Sequence, residues 1–342
     1  MLRLSCASET CCKPTSRWRE ASGGILSWDT RQKGLIAGVY ITRHNVAGST
    51  AEKLKDEISA LQARRRAAGL PPLIVAADQE GGIVSHLAPP LTRLPALSTL
   101  AGLASDVRAE KAEAFGRQHG QELAALGVNL NLAPVLDLRP EPRRNRLDFN
   151  TLIGQRAISD DLATVAGIAR SYISGLETSG VGATVKHFPG LGRVRNDTHH
   201  FSAKLETPLQ ELEASDWIPF RKVLATSKAQ LMIGHVTLTS VDPDRAASHS
   251  RRVVDGIIRK QWNYQGVVMT DDLVMGAIYQ SNVCTAVIEA LNAGVDLLLV
   301  AFDGAQFYRI FTCATAASAE GKLDAPTLLE SEARLKGAFP AD

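Results

Sequence analysis

Short apolar runs, each about one strand long, recur along this 342-residue chain with helical stretches between them, and that alternation constrains the fold more than any other feature. The runs are Leu35 to Thr42, Leu73 to Asp78, Val128 to Leu136, Val181 to Lys186, Leu231 to Val236, Gly266 to Thr270 and Val295 to Ala301. They are apolar on both faces, as in strands of a parallel sheet covered by helices. Helical spacing of apolar residues marks Asp106 to Leu126, Asp160 to Thr178, Ser250 to Trp262 and Val283 to Asn292, and "APTLLESEARLKGAF" near the C-terminus reads as a closing helix. A single-domain (β/α)8 TIM barrel, of roughly 250 residues before insertions, absorbs this pattern. Such a barrel needs an eighth strand, and "GGILSWD" at 23 to 29 is the irregular candidate for its first position. The expected organisation is an N-terminal extension over 1 to 22, without expected order, and one barrel domain over 23 to 342.

With 45% of residues apolar and 22% charged, a large core is accessible, and a net charge of +2 offers no polyelectrolyte surface for nucleic acid. No apolar run reaches the roughly 18 residues of a membrane span. The opening "MLRLSCASETCCKPTSRWRE" lacks the apolar core of a secretory signal. These features lead to the expectation of a cytoplasmic monomer. Five cysteines, Cys6, Cys11, Cys12, Cys284 and Cys313, include no CxxC pair and read as reduced thiols. The Cys6, Cys11 and Cys12 group lacks a fourth ligand, so no metal is expected.

In a barrel, the C-terminal ends of the strands meet at one mouth. Here five successive candidate strands run into "AADQEGG", "APVLDLR", "VKHFPG", "IGHV" and "VVMTDDLVM". A polar residue at one strand end is ordinary; five strands in a row ending in ionisable or imidazole groups indicate a site. Neighbouring residues on a strand face opposite ways, so only one of Asp271 and Asp272 can face the mouth. The chemistry is assigned to Asp271, and Asp272 is expected to cap a helix beginning at Leu273. Asp197, two residues before His199, can accept a hydrogen bond from one ring nitrogen and leave the other as a general acid/base. A lone pair of this kind is more often a surface contact, but this loop leaves a strand end crowded with Lys186 and His187. Two other classes fit the same residues. One is a metal-dependent barrel hydrolase using His187, His199, His235 and Asp271 as ligands; the other is a sugar-binding barrel without turnover.

The ordered set "DQEGG" (78 to 82), "NLNLAPVLDL" (129 to 138), "IGQRAIS" (153 to 159), "KHFPGLG" (186 to 192), "DTHH" (197 to 200) and "TDDLVM" (270 to 275) resembles glycoside hydrolase family 3. The likeness is to its single-domain β-N-acetylglucosaminidases of the NagZ type and runs from about residue 34 to 301. The resemblance implies a (β/α)8 barrel and a retaining double displacement on a β-linked N-acetylhexosamine, in the setting of peptidoglycan-fragment recycling. It implies a small carbohydrate as partner and no cofactor. Asp271 matches the family's nucleophile, and His199, paired with Asp197, matches its acid/base. Asp78, Arg156, Lys186 and His187 match its sugar-binding positions, although an arginine and an aspartate at a barrel rim also often pair with one another. His235 matches a family histidine that either touches substrate or packs beneath the site. Departures from the family pattern include Arg193 to Asn196, which alter the loop composition, and a first strand that is obscure here. Ile83 and His86 stand where the family has arginines after its "DQEGG", which alters a sugar contact, and Leu191 replaces a common histidine. A neutral imidazole base does not repel an anionic acceptor, so a phosphorylase is the variant reading within the family.

Overall fold

The structure, a computed structural model, describes residues 36–140, 151–279 and 282–340. All seven strands expected from the apolar runs are present: β1 (Gly38–Ile41), β2 (Ile74–Ala77), β3 (Leu130–Asn131), β4 (Gly182–Phe188), β5 (Gln230–Ile233), β6 (Val268–Asp272) and β7 (Leu297–Leu299). They form one sheet in chain order, and every neighbouring pair is parallel. The candidate strand at 23 to 29, the extension over 1 to 22, and Cys6, Cys11 and Cys12 lie outside the described residues.

One long helix fills each crossover: α1 (Ala51–Ala67), α2 (Ser105–Leu126), α3 (Leu162–Glu177), α4 (Trp217–Leu224), α5 (Arg252–Gln261) and α6 (Val283–Ala293). α7 (Gln306–Ala319) and α8 (Ala325–Ala338) follow β7. Parallel strands in sequential order, each returning through a helix, form the wall of a (β/α)8-type barrel. Local chemistry sets the helix starts. Thr50 accepts the Lys53 amide at 3.2 Å ahead of α1, and Asp161 accepts the Thr164 amide at 2.7 Å ahead of α3.

The strands are buried on both sides, as their composition requires. Ile74 and Ala76, Leu130 and Leu132, Val267 and Met269, and Leu297 and Leu299 form a small cluster together with Met232. The alternate residues Val75, Ala77, Val268 and Leu298 belong to the larger core shared with the helices. The period of two in this division follows from the pleat.

Cys284 and Cys313 form a disulfide with Cα atoms 5.3 Å apart, which corrects the reading of all five cysteines as thiols. The pair joins α6 to α7, so its closeness comes from helix adjacency across 29 residues and not from any local spacing. It also removes the thiol-based support for a reducing compartment. Among the described residues, no helix is long and apolar enough to cross a membrane.

Candidate active site

Beyond β2 the chain enters a short antiparallel ribbon, Gln79–Gly81 with Val84–Ser85, which brings Glu80 and His86 beside Asp78. Gly81 turns this ribbon at φ 93°, where a Cβ would lie 2.4 Å from the Pro95 carbonyl oxygen, so glycine is required. The Asp78 carboxylate accepts hydrogen bonds from the Tyr40 hydroxyl and the Lys186 ammonium. Lys186 Nζ also lies 2.7 Å from Glu80 Oε1. Arg156 reaches the same Glu80 carboxylate through Nε at 3.1 Å and Nη2 at 2.7 Å. Asp78 and Arg156 therefore do not pair with each other; each is held by another member of one buried cluster. Burial by itself would raise both carboxyls, but the adjacent cations outweigh it. Lys186 holds Asp78 well below the ordinary carboxylate range, and Arg156 and Lys186 lower Glu80.

His86 takes part in this arrangement through Tyr40. The phenol has one proton, which goes to Asp78, so His86 Nδ1, 3.1 Å from the phenol oxygen, donates to it. Burial lowers the His86 pKa, which favours this neutral tautomer with Nε2 as an acceptor.

Lys186 and His187 are the last residues of β4 before Phe188 closes the strand, and the segment after it is tied down by Asp137. That carboxylate accepts from His187 Nδ1 at 2.7 Å, the His187 amide at 3.2 Å and the Leu191 amide at 2.7 Å. The chain then carries Asp197 and His199. Asp197 Oδ1 accepts from the His199 amide at 2.9 Å, His199 Nδ1 at 2.8 Å and the Thr151 hydroxyl at 2.8 Å. A carboxylate only accepts, so Nδ1 carries the proton and Nε2 is left for proton transfer. The His199 side chain is 38% exposed while that of Asp197 is fully buried, so the orienting group is fixed and the ring it holds is accessible.

Asp271 and Asp272 at the end of β6 both border the cavity, so the expectation that only one of them reaches the mouth does not hold; their hydrogen-bond partners differ. Burial would raise the Asp271 carboxyl, but His187, His235 and His199 around it hold it below the ordinary value. Asp272 does not cap a helix at Leu273. The next helical turn begins only at Gly276, and Asp272 accepts instead from the amides of Val274 at 3.1 Å, Ala301 at 2.9 Å and Phe302 at 2.9 Å. The end of the neighbouring β7 supplies two of those donors, which outcompetes a local cap. His235 packs beneath the site. Its Nε2 lies 3.0 Å from the Asp272 carbonyl and therefore donates to it, while Nδ1 accepts from the Ser248 hydroxyl at 2.7 Å. Burial lowers its pKa.

A cavity of about 750 Å³ is bordered by Asp78, His86, Arg156, Lys186, His187, His199 and Asp271 together. Asp197 and His235 do not border it and act from behind the wall. Tyr40, Glu80, Asp137 and Thr151 complete the constellation and were not singled out in the sequence. Glu80 and Asp78 are two apart on an extended segment, a spacing that puts them on one face. Asp137 follows β3 within "VLDLR", whereas Tyr40 and Thr151 carry no local signal. Among the described residues, no group of three or more His, Cys, Asp or Glu is arranged to hold a metal ion, so the ligand set of the metal-hydrolase reading does not assemble.

A carboxylate and a carboxylate-oriented imidazole share the mouth of a parallel α/β barrel with a wall of charged and polar side chains, an arrangement that can carry out acid/base and nucleophilic chemistry on a glycoside. The chain belongs to glycosyl hydrolase family 3, whose N-terminal domain it matches over residues 30–336. A β-hexosaminidase of Xanthomonas euvesicatoria is 37% identical over 278 residues, which covers 80% of this chain and 78% of that protein. The solved structure of a family 3 β-N-acetylglucosaminidase from Paenibacillus superposes with a TM-score of 0.83 at 30% identity, covering 91% of this chain. This chain spans only 58% of the length of that Paenibacillus protein. A β-N-acetylhexosaminidase from Beutenbergia cavernae gives a TM-score of 0.74 at 28% identity, with 89% of this chain and 88% of that one covered.

Proposed function

We propose that this chain is a retaining β-N-acetylhexosaminidase that removes terminal β-linked N-acetylglucosamine from soluble glycan fragments, those of peptidoglycan recycling included. One observation carries the reading: a single cavity holds both Asp271 and His199, and the His199 ring is oriented by a buried Asp197. The relatives' names support the choice of N-acetylhexosamine.

In the first step an Asp271 oxygen attacks the anomeric carbon as its bond to the leaving oxygen breaks, and protonated His199 delivers its Nε2 proton to that oxygen. In the second, neutral His199 takes a proton from water. The water oxygen bonds to the anomeric carbon, the bond to Asp271 breaks, and two inversions give net retention. Asp78, Arg156, Lys186 and His187 bind the hydroxyls of the cleaved sugar. Lys186 and Arg156 keep N–H donors beyond those spent on Glu80 and Asp78.

The test compares a chromogenic β-N-acetylglucosaminide with the matching β-glucoside, then repeats the assay on Asp271→Ala and His199→Ala. Release from the acetamido sugar is expected to dominate. His199→Ala should lose roughly a hundred- to ten-thousand-fold in turnover, and Asp271→Ala on the order of ten-thousand-fold. Azide should partly rescue Asp271→Ala, and because it enters from the side the aspartate vacates, the product should be the α-glycosyl azide. Near-normal turnover by either variant would remove that residue from its role.

A further inference from the structure

Part of the cavity border is apolar: Val274, Met275, Ala301 and Phe302 form a lip there. Phe302, 81% exposed, is the most exposed large hydrophobic side chain among the described residues. A lone exposed phenylalanine on a protein surface is unremarkable. This one differs in two respects: it borders the cavity that contains Asp271, and its backbone is anchored to the residue next to Asp271. Asp272 accepts the Phe302 amide through one carboxylate oxygen and the Ala301 and Val274 amides through the other, at 2.9, 2.9 and 3.1 Å. Both lip segments are thus held in fixed register with Asp271, and the phenyl ring projects from an ordered backbone into solvent at the cavity rim.

We infer that Phe302 is the platform of a leaving-group subsite, stacking against the flat C–H or π face of a ring attached to the scissile oxygen. The inference rests on the hydrolase reading and deepens it. The hydroxyls of the cleaved sugar are drawn to Asp78, Arg156 and Lys186, which are deep and polar. The ring beyond the scissile bond lies toward solvent, where the most exposed apolar surface of the lip stands, and a face-to-face contact there gains stacking and removes apolar area from water. The subsite selects an aglycone with a ring, either a second pyranose or an aryl group, over a short alkyl group. The four lip side chains are themselves uncharged, so the lip reads ring shape.

Phe302→Ala and Phe302→Trp test this, because the Asp272 contacts are to backbone amides and survive either change. For each variant, kcat/KM is measured on a β-N-acetylglucosaminyl disaccharide, the 4-nitrophenyl glycoside and the methyl glycoside, together with the competitive Ki of free N-acetylglucosamine. Phe302→Ala should lower the ring-bearing substrates relative to the methyl glycoside by about five- to tenfold, with Phe302→Trp restoring the ratio. The two ring-bearing substrates separate a sugar-specific from an aryl-specific platform. Equal losses on all three substrates and on Ki would overturn the proposal, because the ring would then serve the cleaved sugar or the loop itself; so would no change in the ratio. Should the wild-type protein hydrolyse none of them, the hydrolase reading falls separately. The same ratio is then read calorimetrically as disaccharide against monosaccharide affinity, and Phe302→Ala leaving it unaltered overturns the platform too.

Discussion

At the scale of single residues, Glu80 and Asp271 should respond to truncation in opposite ways. Glu80 is buried and takes both Lys186 and Arg156, so its removal leaves two cations in the protein interior short of a carboxylate. Breaking such a pair from one side costs about 3–5 kcal/mol. Glu80→Ala is therefore expected to lower the unfolding midpoint and raise KM together. Asp271→Ala removes a carboxylate that sits in the cavity wall, and it should abolish turnover while unfolding near the wild-type midpoint. Denaturant unfolding of both variants beside the wild type decides the matter; a Glu80→Ala midpoint equal to wild type would mean the cluster is not what holds that wall. The same contrast explains what was legible. Asp197 and His199 are legible as a pair because they stand two residues apart, whereas Asp271 is legible only as the end of a strand, since His187, His235 and His199 reach it from far along the chain. Tyr40 meets Asp78 across 38 residues and Thr151 meets Asp197 across 46, so no local pattern points to either. Glu80 falls between: its spacing of two from Asp78 on an extended segment places both on one face.

Among the elements, the seven strands were legible because a parallel strand buried on both faces must be apolar throughout, and the helices because one face must be. What periodicity does not encode is which helices touch, and how closely. The α6–α7 disulfide and the clasp from Asp272 to the end of β7 both depend on adjacency in space. Contact between α2 and α3 is the tightest case. A Cβ at Gly116 would lie 2.0 Å from the Tyr172 carbonyl oxygen, and one at Gly175 would lie 2.0 Å from that of Glu113. Both obstacles are backbone, so the helices themselves would have to move apart. Gly116→Ala should cost at least about 1–3 kcal/mol despite the better helix propensity of alanine. Gly167, in the middle of α3, has nothing within 4 Å of its missing Cβ, and Gly167→Ala should stabilise by roughly 0.5–1 kcal/mol. Opposite signs from one substitution type in one helix pair are the expected result, read by chemical denaturation. Equal signs would mean that packing distance is not the controlling variable.

For the whole molecule, helices, sheet and site are joined by a buried polar thread, and its titration should govern stability on the acid side. Asn131 at the end of β3 donates to the Tyr172 hydroxyl of α3 at 2.8 Å and also bonds the backbone of Gln79 beyond β2. The Tyr172 hydroxyl in turn lies 3.0 Å from His119 Nδ1 on α2 and donates its proton there, leaving the His119 proton on Nε2. His119 is 1% exposed, and burial lowers its pKa to about 4, against an ordinary histidine value near 6.5 in the unfolded chain. Between those values the unfolded chain holds the proton and the folded protein does not. Stability is therefore complete above pH about 6.5 and falls as pH drops toward 4, by about 3 kcal/mol from this residue. His249, also lowered to about 4 by burial, adds to the loss in the same window, so wild type alone cannot isolate the effect. His119→Gln keeps an acceptor for the Tyr172 hydroxyl and cannot titrate. In urea unfolding at pH 7, 5.5 and 4, the stability of wild type minus that of His119→Gln should become steadily more negative as pH falls. A difference that stays flat across that range would show that the thread does not hold His119 neutral in the folded protein.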